Sequence, residues 1–198
     1  MGCLITHRPA GFELLTHHNV SVEFTLFTNL LGSIGLGAAS GLNAWIPLFG
    51  LGLAQRLGAV TLTEPFDRMG SSSVLAVLGA LMLVDLIGDK IPVIDHVLHV
   101  MGLIVAPASG AVMLLAQQNL LSQSHPGLAA VVGLTIGGSV HASRSVVRPV
   151  VTAGTAGAGN PVVSAVEDII SFGLTLLAVL VPTLAFIALL VLTVVMWR

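Results

Sequence analysis

Charge is what this sequence has least of. Asp, Glu, Lys and Arg make up 8% of its 198 residues, against roughly a quarter in a soluble domain. So few charges cannot cover a water-facing surface, which excludes an ordinary soluble globular fold. Lys and Arg number 7 and are scattered, so the basic stripe that nucleic acid requires is missing. The formal net charge of -2 suggests no polyanionic partner. Cysteine is nearly absent: Cys3 stands alone, which excludes an intrachain disulfide and a cysteine-pair metal site. There is no GxSxG for acyl transfer and no HExxH for zinc, and TAGTAGAGN at 152–160 lacks the G-K-[ST] ending of a phosphate-cradling loop. No cofactor and no metal is expected. Residues 1–20 form a polar N-terminal tail without the basic-then-apolar layout of a signal peptide. The tail matches a myristoylation pattern through Thr6, meaningful only in a eukaryotic cell; a short surface helix or frayed end is the plainer reading.

What the chain has instead is hydrocarbon. Hydrophobic residues make up 55% of it, the mean hydropathy is +1.01, and apolar runs near the ~20 residues that cross a bilayer recur. We expect an all-α, polytopic helical membrane protein, with residues 21–198 as one multi-span domain and the lipid bilayer as its partner. The first apolar region, from Phe24 to Val60, is interrupted by glycines, Asn43 and Pro47. Irregular backbone at membrane depth survives only inside protein or beside a watery cavity. A helix, a break near Gly41–Asn43 and a second helix or half-helix to Arg56 are therefore expected, in the manner of broken or re-entrant helices. Further spans follow over Ser72–Gly88, over Val97–Gln117 with a kink at Pro107, and from Leu128 to the Arg148–Pro149 pair. A polar linker, Gln117–Gly127, lies between the last two, and a last helix runs from near Pro161 to Trp197 with Pro182 inside it. Sliding the chain by about a hundred residues places IGLGAASGLNAWIP on IGGSVHASRSVVRP, a weak internal repeat. Two crossings in the first half would make the halves inverted, and three would make them parallel. Arg8, Arg56, Arg68 and Arg198 on one face would mark it cytoplasmic. Small residues at Gly32–Gly37 and Gly133–Gly138 allow close helix packing, within one chain or in a homo-oligomer.

Against this background the stretch LVDLIGDKIPVIDHVLH, Leu83 to His99, is anomalous, because it gathers Asp85, Asp89, Lys90, Asp95, His96 and His99. Asp85 and Asp89 share a helical face. Pro92 biases Ile91 away from helical geometry, so one helix ends near Asp89–Lys90 and the next opens on Pro92. A charge at the bilayer centre costs at least ~2.5–3.5 kcal/mol, so these groups face protein, a cavity or the interface. A second cluster, HASRSVVRP, places His141, Arg144 and Arg148 on one helical face. In GNPVVSAVED beyond it, Asn160 suits an N-cap and Pro161 the first helical position, with Ser164 and Glu167 as an alternative capping box. That helix start, beside two arginines, suits a phosphate or carboxylate. Glu167 and Asp168 suit it equally, and would neutralise Arg144 and Arg148 as buried pairs.

GLNAWIPL, GDKIPVIDH and the HxxR…R…TxGxxxGNPxxSxxED pattern resemble a family of small bacterial membrane proteins, domain of unknown function 4126, over nearly the whole chain from Leu31 to Pro182. The resemblance implies a multi-span helical protein of the bacterial inner membrane. It places Asp89, Lys90, Pro92, Asp95, Asn160, Pro161, Ser164, Glu167 and Asp168 on motif positions, with Asp85 as a looser match. It implies no activity.

The expected function is a small transporter or channel-like protein with a buried site of acidic and arginine residues. Its ligand would be a cation or proton, a small anionic solute, or both. Asp85, Asp89 and Asp95 would carry the cation, with Lys90 beside them. Arg144 and Arg148 would hold an anion or gate it by pairing with Glu167 and Asp168, near Asn160 and Ser164. One alternative is an intramembrane enzyme on a phospholipid or isoprenoid-phosphate head group, with an Asp or His as general base. Another is a non-catalytic membrane partner or assembly factor whose charges are internal staples.

Overall fold

A computed structural model describes residues 10–196 of the chain. The described residues form eight α-helices and one 3-10 turn: α1 (Ala10–Leu42), α2 (Trp45–Arg56), the turn Phe66–Gly70, α3 (Ser72–Gly88), α4 (Pro92–Ala116), α5 (Leu120–Ser124), α6 (Pro126–Thr155), α7 (Asn160–Leu180) and α8 (Pro182–Met196). Three of them contain stretches long and apolar enough to cross a membrane, Ser21–Leu42, Val97–Ala116 and Asn160–Leu180, and α3 and α8 are shorter apolar helices. The protein is an integral, all-helical membrane protein.

Proline and polar caps set most helix starts. Pro92, Pro126 and Pro182 open α4, α6 and α8, where a missing N–H costs nothing. Ser71 caps α3 by accepting from the Val74 N–H. The break in the first apolar region falls where expected, between Leu42 and Trp45. α2 has 12 residues and rises only ~18 Å, short of a ~30 Å hydrocarbon core. It is a half-helix that returns to the side from which α1 came. Asn29 of α1 donates to the Gln118 carbonyl at 2.8 Å, Arg56 at the end of α2 reaches Ser72, and Leu62 pairs with Gln117. These contacts define one face of the molecule, here the linker face; the α3–α4 and α6–α7 turns lie on the other.

Small residues set the packing. Gly110 of α4 and Gly133 of α6 meet so closely that a methyl on either would collide with the other's carbonyl oxygen, and Gly137 packs equally against Ala106. α4 and α6 are therefore antiparallel and in near-backbone contact, the small-residue association expected where lipid gives no hydrophobic drive. Gly41 of α1 packs on Gly137 and Val140, while Gly32 and Gly35 pack on Ala178, Pro182 and Ala185. The core holds Leu36, Leu51, Met113 and Ala178 around α1.

Three expectations are corrected. α6 does not stop at Arg148–Pro149 but runs through Pro149 to Thr155, so the small-residue loop shrinks to residues 156–159. Pro149 deprives the Ser145 carbonyl of its helical donor, yet Arg148 is clamped to two other helices and the axis continues. The helix ends instead on a left-handed pair, Ala156 at φ 50° and Gly157 at φ 86°. The last helix is two helices: the chain leaves α7 at Val181 and Pro182 starts α8, which turns back along α1. The linker also contains a helix, α5, with a capping box between Asn119 and Ser122. Residues 10–20 are helical and continuous with α1. Met1–Pro9, with the myristoylation pattern and Arg8, and Trp197–Arg198 lie outside the described residues. Arg56 and Arg68 flank the same loop on the linker face.

Helix directions follow from these contacts. α1, α2 and α3 run down, up and down, α4 runs up, and α6, α7 and α8 repeat down, up and down. Three helices precede α4 and three follow α5, and the two sets run in the same order of directions. Gly133→Val is expected to destabilise the detergent-purified protein by about 1–3 kcal/mol through overpacking against Gly110. Gly127→Ala, where nothing lies within 4 Å of the added methyl, stays within about 0.5 kcal/mol; equilibrium unfolding of both variants checks this.

Candidate functional site

The break after α1 is built around Asn43. Its side-chain carbonyl accepts from the Trp45 and Ile46 N–H groups at 3.1 and 3.3 Å, capping the free start of α2. Its amide donates to Asp85 Oδ2 of α3 at 2.7 Å and to Asp168 Oδ1 of α7 at 2.9 Å. The amide thus has both donors used and the carbonyl accepts twice. Ser171, one turn beyond Asp168, donates to the Ala39 and Asn43 carbonyls and closes the break from the α7 side.

The two ionisable clusters meet at this point. Arg148, 6% exposed, pairs with Asp95 of α4 through a short contact and with Glu167 of α7 at 2.9 Å. Arg144 pairs with the same Glu167 oxygen at 2.7 Å and donates to the Leu42 carbonyl at 2.6 Å, which satisfies the frayed end of α1. Asp89, 4% exposed, pairs with Lys90 at 2.8 Å and accepts a short hydrogen bond from Ser164. Lys90 also reaches Asp168 at 3.4 Å. It lies in the turn between α3 and α4, where burial works against its charge, but Asp89 and Asp168 outweigh this and hold its pKa above the usual lysine value.

Nine of the ten expected site residues are therefore in one network. Asn160 is the exception. It is the first residue of α7 rather than its cap, and its side chain accepts from Thr152 at 3.0 Å, fastening the α6–α7 turn. Ser164 and Glu167 form no capping box either; both sit inside α7 and turn to Asp89 and to the arginines. The anticipated pairing of the arginines holds for Glu167, while Asp168 goes to Lys90 and Asn43.

Five carboxylates share this network with three cations, an excess of two negative charges when all are ionised. Asp85 is the carboxylate left without an ion pair among the described residues; it accepts a hydrogen bond from the neutral amide of Asn43. It borders a cavity of about 180 Å³ that reaches from Asn43 and Asp89 to His99 and His141. The two imidazoles lie 5.1 Å apart, and Gly102 leaves the room that His141 fills. His141 is 2% exposed, and its Nε2 has no hydrogen-bond partner among the described residues. No group of three His, Cys, Asp or Glu among the described residues is arranged to hold a metal ion. The side chain of His96 lies outside the described residues.

Asn43, His141 and Ser171 were absent from the expected site. In the sequence Asn43 marks a helix break, and a buried amide among glycines also demands partners. His141 carried a usable signal, since it shares a helical face with both arginines.

Breaking a buried ion pair from one side leaves the other charge uncompensated, at about 3–5 kcal/mol. Arg148→Ala is accordingly expected to lose most of the protein's stability. Asp85→Asn removes no ion pair and is expected to change stability by less than about 1 kcal/mol. Thermal unfolding in one detergent, read in parallel for both variants, checks the contrast.

No curated protein and no solved structure matches the chain. A family model described as Domain of unknown function (DUF4126) matches residues 30–198, from the α1 segment that carries Asn29's neighbours to the C-terminus, and so spans every residue of the network above. The chain belongs to this family.

Proposed function

We propose that this protein is a small transporter or channel-like protein of the bacterial inner membrane whose polar cavity takes up a cation or proton, with Asp85 as the receiving group. The observation that carries the proposal is Asp85 itself, a carboxylate beside a cavity with no cation paired to it, in a network that already has more acids than bases. Ionisable groups at membrane depth mark ion and proton pathways more often than they serve stability. A cation on Asp85 offsets part of the network's excess negative charge. The two sets of three helices, with a break at Asn43, provide two bodies that can shift about a fixed site. Asp89, Asp95, Lys90, Arg144, Arg148, Ser164, Glu167 and Asp168 are the surroundings whose pairings would exchange as they do so.

The anionic solute weighed from sequence finds less support, because Arg144 and Arg148 are both occupied by carboxylates. The same occupancy weakens the case for an enzyme clamping a phosphorylated lipid head group. An assembly factor would use the ion pairs as staples, but it gives Asp85 no work.

Flux into proteoliposomes tests the proposal, with protons, Na⁺, K⁺ and methylammonium offered separately to wild type and Asp85→Asn. We expect flux of at least one of these to fall by about tenfold or more in the variant, the factor for losing one charge-assisted contact. Equal flux of all four through both proteins contradicts it.

A further inference from the structure

The walls of the cavity beside Asp85 say more about its ligand than the carboxylate does. We infer that it is a binding site for a small organic ammonium ion with an apolar body, a refinement that rests on the cation reading above. The cavity's volume of about 180 Å³ is near the ~150 Å³ of an engineered protein cavity that holds one benzene molecule. It is larger than a proton or a bare ion needs and smaller than the ~300 Å³ lower bound of drug-sized pockets. Carbon makes up most of its wall, with Leu81, Val84, Leu98, Met101 and Val105 in the lining beside the carboxylates of Asp85, Asp89 and Asp95. Na⁺, K⁺ and divalent ions need a shell of several oxygen ligands to replace water; Asp89 and Asp95 also border the cavity, but Lys90 and Ser164 engage the one and Arg148 the other, which leaves Asp85 as its carboxylate without an ion pair among the described residues. An alkyl or aryl amine needs one carboxylate for its N–H groups and hydrocarbon for the rest.

Three further features point the same way. Trp45 lines the cavity beside Asn43, and the indole ring is the side chain that best attracts a cation. Arg144 also borders the cavity and its charge acts on Asp85, but its direct contacts are with Glu167 and the Leu42 carbonyl, and it forms no ion pair with Asp85. Finally, His141 borders the same cavity with a buried Nε2 that has no hydrogen-bond partner among the described residues. A buried polar atom left alone is costly unless something meets it. A ligand with a polar group at each end, or one amine plus a water, satisfies Asp85 and His141 together. The ligand is therefore an amine of about six to ten heavy atoms, by the benzene comparison.

The test uses benzylammonium as probe, with Trp45 as reporter in a Trp197→Phe background, in detergent at neutral pH. Benzyl alcohol is the neutral isostere, and NaCl and KCl are the inorganic controls. We expect saturable change of Trp45 fluorescence with benzylammonium and not with benzyl alcohol. Asp85→Asn is expected to weaken it by about tenfold to a hundredfold, as for a buried charge-assisted hydrogen bond, and His141→Leu to weaken it by less. Val105→Phe, which fills the cavity and alters no charge, is expected to abolish it, so the result does not hang on one charge variant folding. Equal response to benzyl alcohol, or a benzylammonium response that survives both Asp85→Asn and Val105→Phe, overturns the inference. A saturable, Asp85-dependent response to Na⁺ or K⁺ alone overturns it while leaving the cation reading standing. No Asp85-dependent response to any cation, from well-folded protein, removes both.

Discussion

A single neutral amide carries the constraint on which this structure depends. A helix that stops inside packed protein exposes carbonyls at one end and N–H groups at the next start, and at a break buried as deeply as Asn43 they need protein partners. Asn43 meets the new N–H groups with its carbonyl oxygen and spends its two amide protons on Asp85 and Asp168. Arg144 meets the Leu42 carbonyl, and Ser171 those of Ala39 and Asn43. The break can therefore exist only where α3, α6 and α7 deliver polar side chains to it. Those side chains in turn lie inside the membrane protein only because the break gives them partners.

Charges in the network fall into two kinds. Arg148, Glu167, Arg144 and Asp95 tie α4, α6 and α7 together, and Asp89, Lys90 and Asp168 tie the α3–α4 turn to α7. Each of these has an opposite charge in contact, as burial demands. Asp85 does not among the described residues; it borders the cavity together with Asp89 and Asp95, which are both paired. What sets Asp85 apart from the other four carboxylates is its lack of an ion pair among the described residues, not its degree of burial. Glycine sets the stage for both: close contact along Gly110–Gly133 and Gly137–Ala106 leaves α6 in register to place Arg144 and Arg148 opposite α7.

Much of this was legible in the sequence. Charge is so scarce that every cluster stood out, and the proline after Lys90 located the α3–α4 turn correctly. The break at Asn43 was visible because glycines, an amide and a proline interrupt an apolar run. Proline elsewhere misled, for a physical reason. Its ring fits the first turn of a helix and also a kinked interior, so Pro149 and Pro182 look alike in sequence. Tertiary clamping of Arg148 carried α6 past the one, and the packing of Ala185 on Gly35 folded the chain back at the other. Asn43 and His141 were underweighted because a neutral polar group announces nothing until its partners are known.

The claim at the centre of this account is that Asp85 alone among the five carboxylates is free to change its state when a ligand arrives. Infrared difference spectroscopy of protein carrying ¹³C-labelled aspartate, recorded on adding a cationic ligand, measures this directly. One isotope-shifted carboxylate band is expected to change, and to vanish from the difference spectrum in Asp85→Asn. A carboxylate change that persists in that variant, or one confined to unlabelled glutamate, would place the responsive group elsewhere and contradict the account.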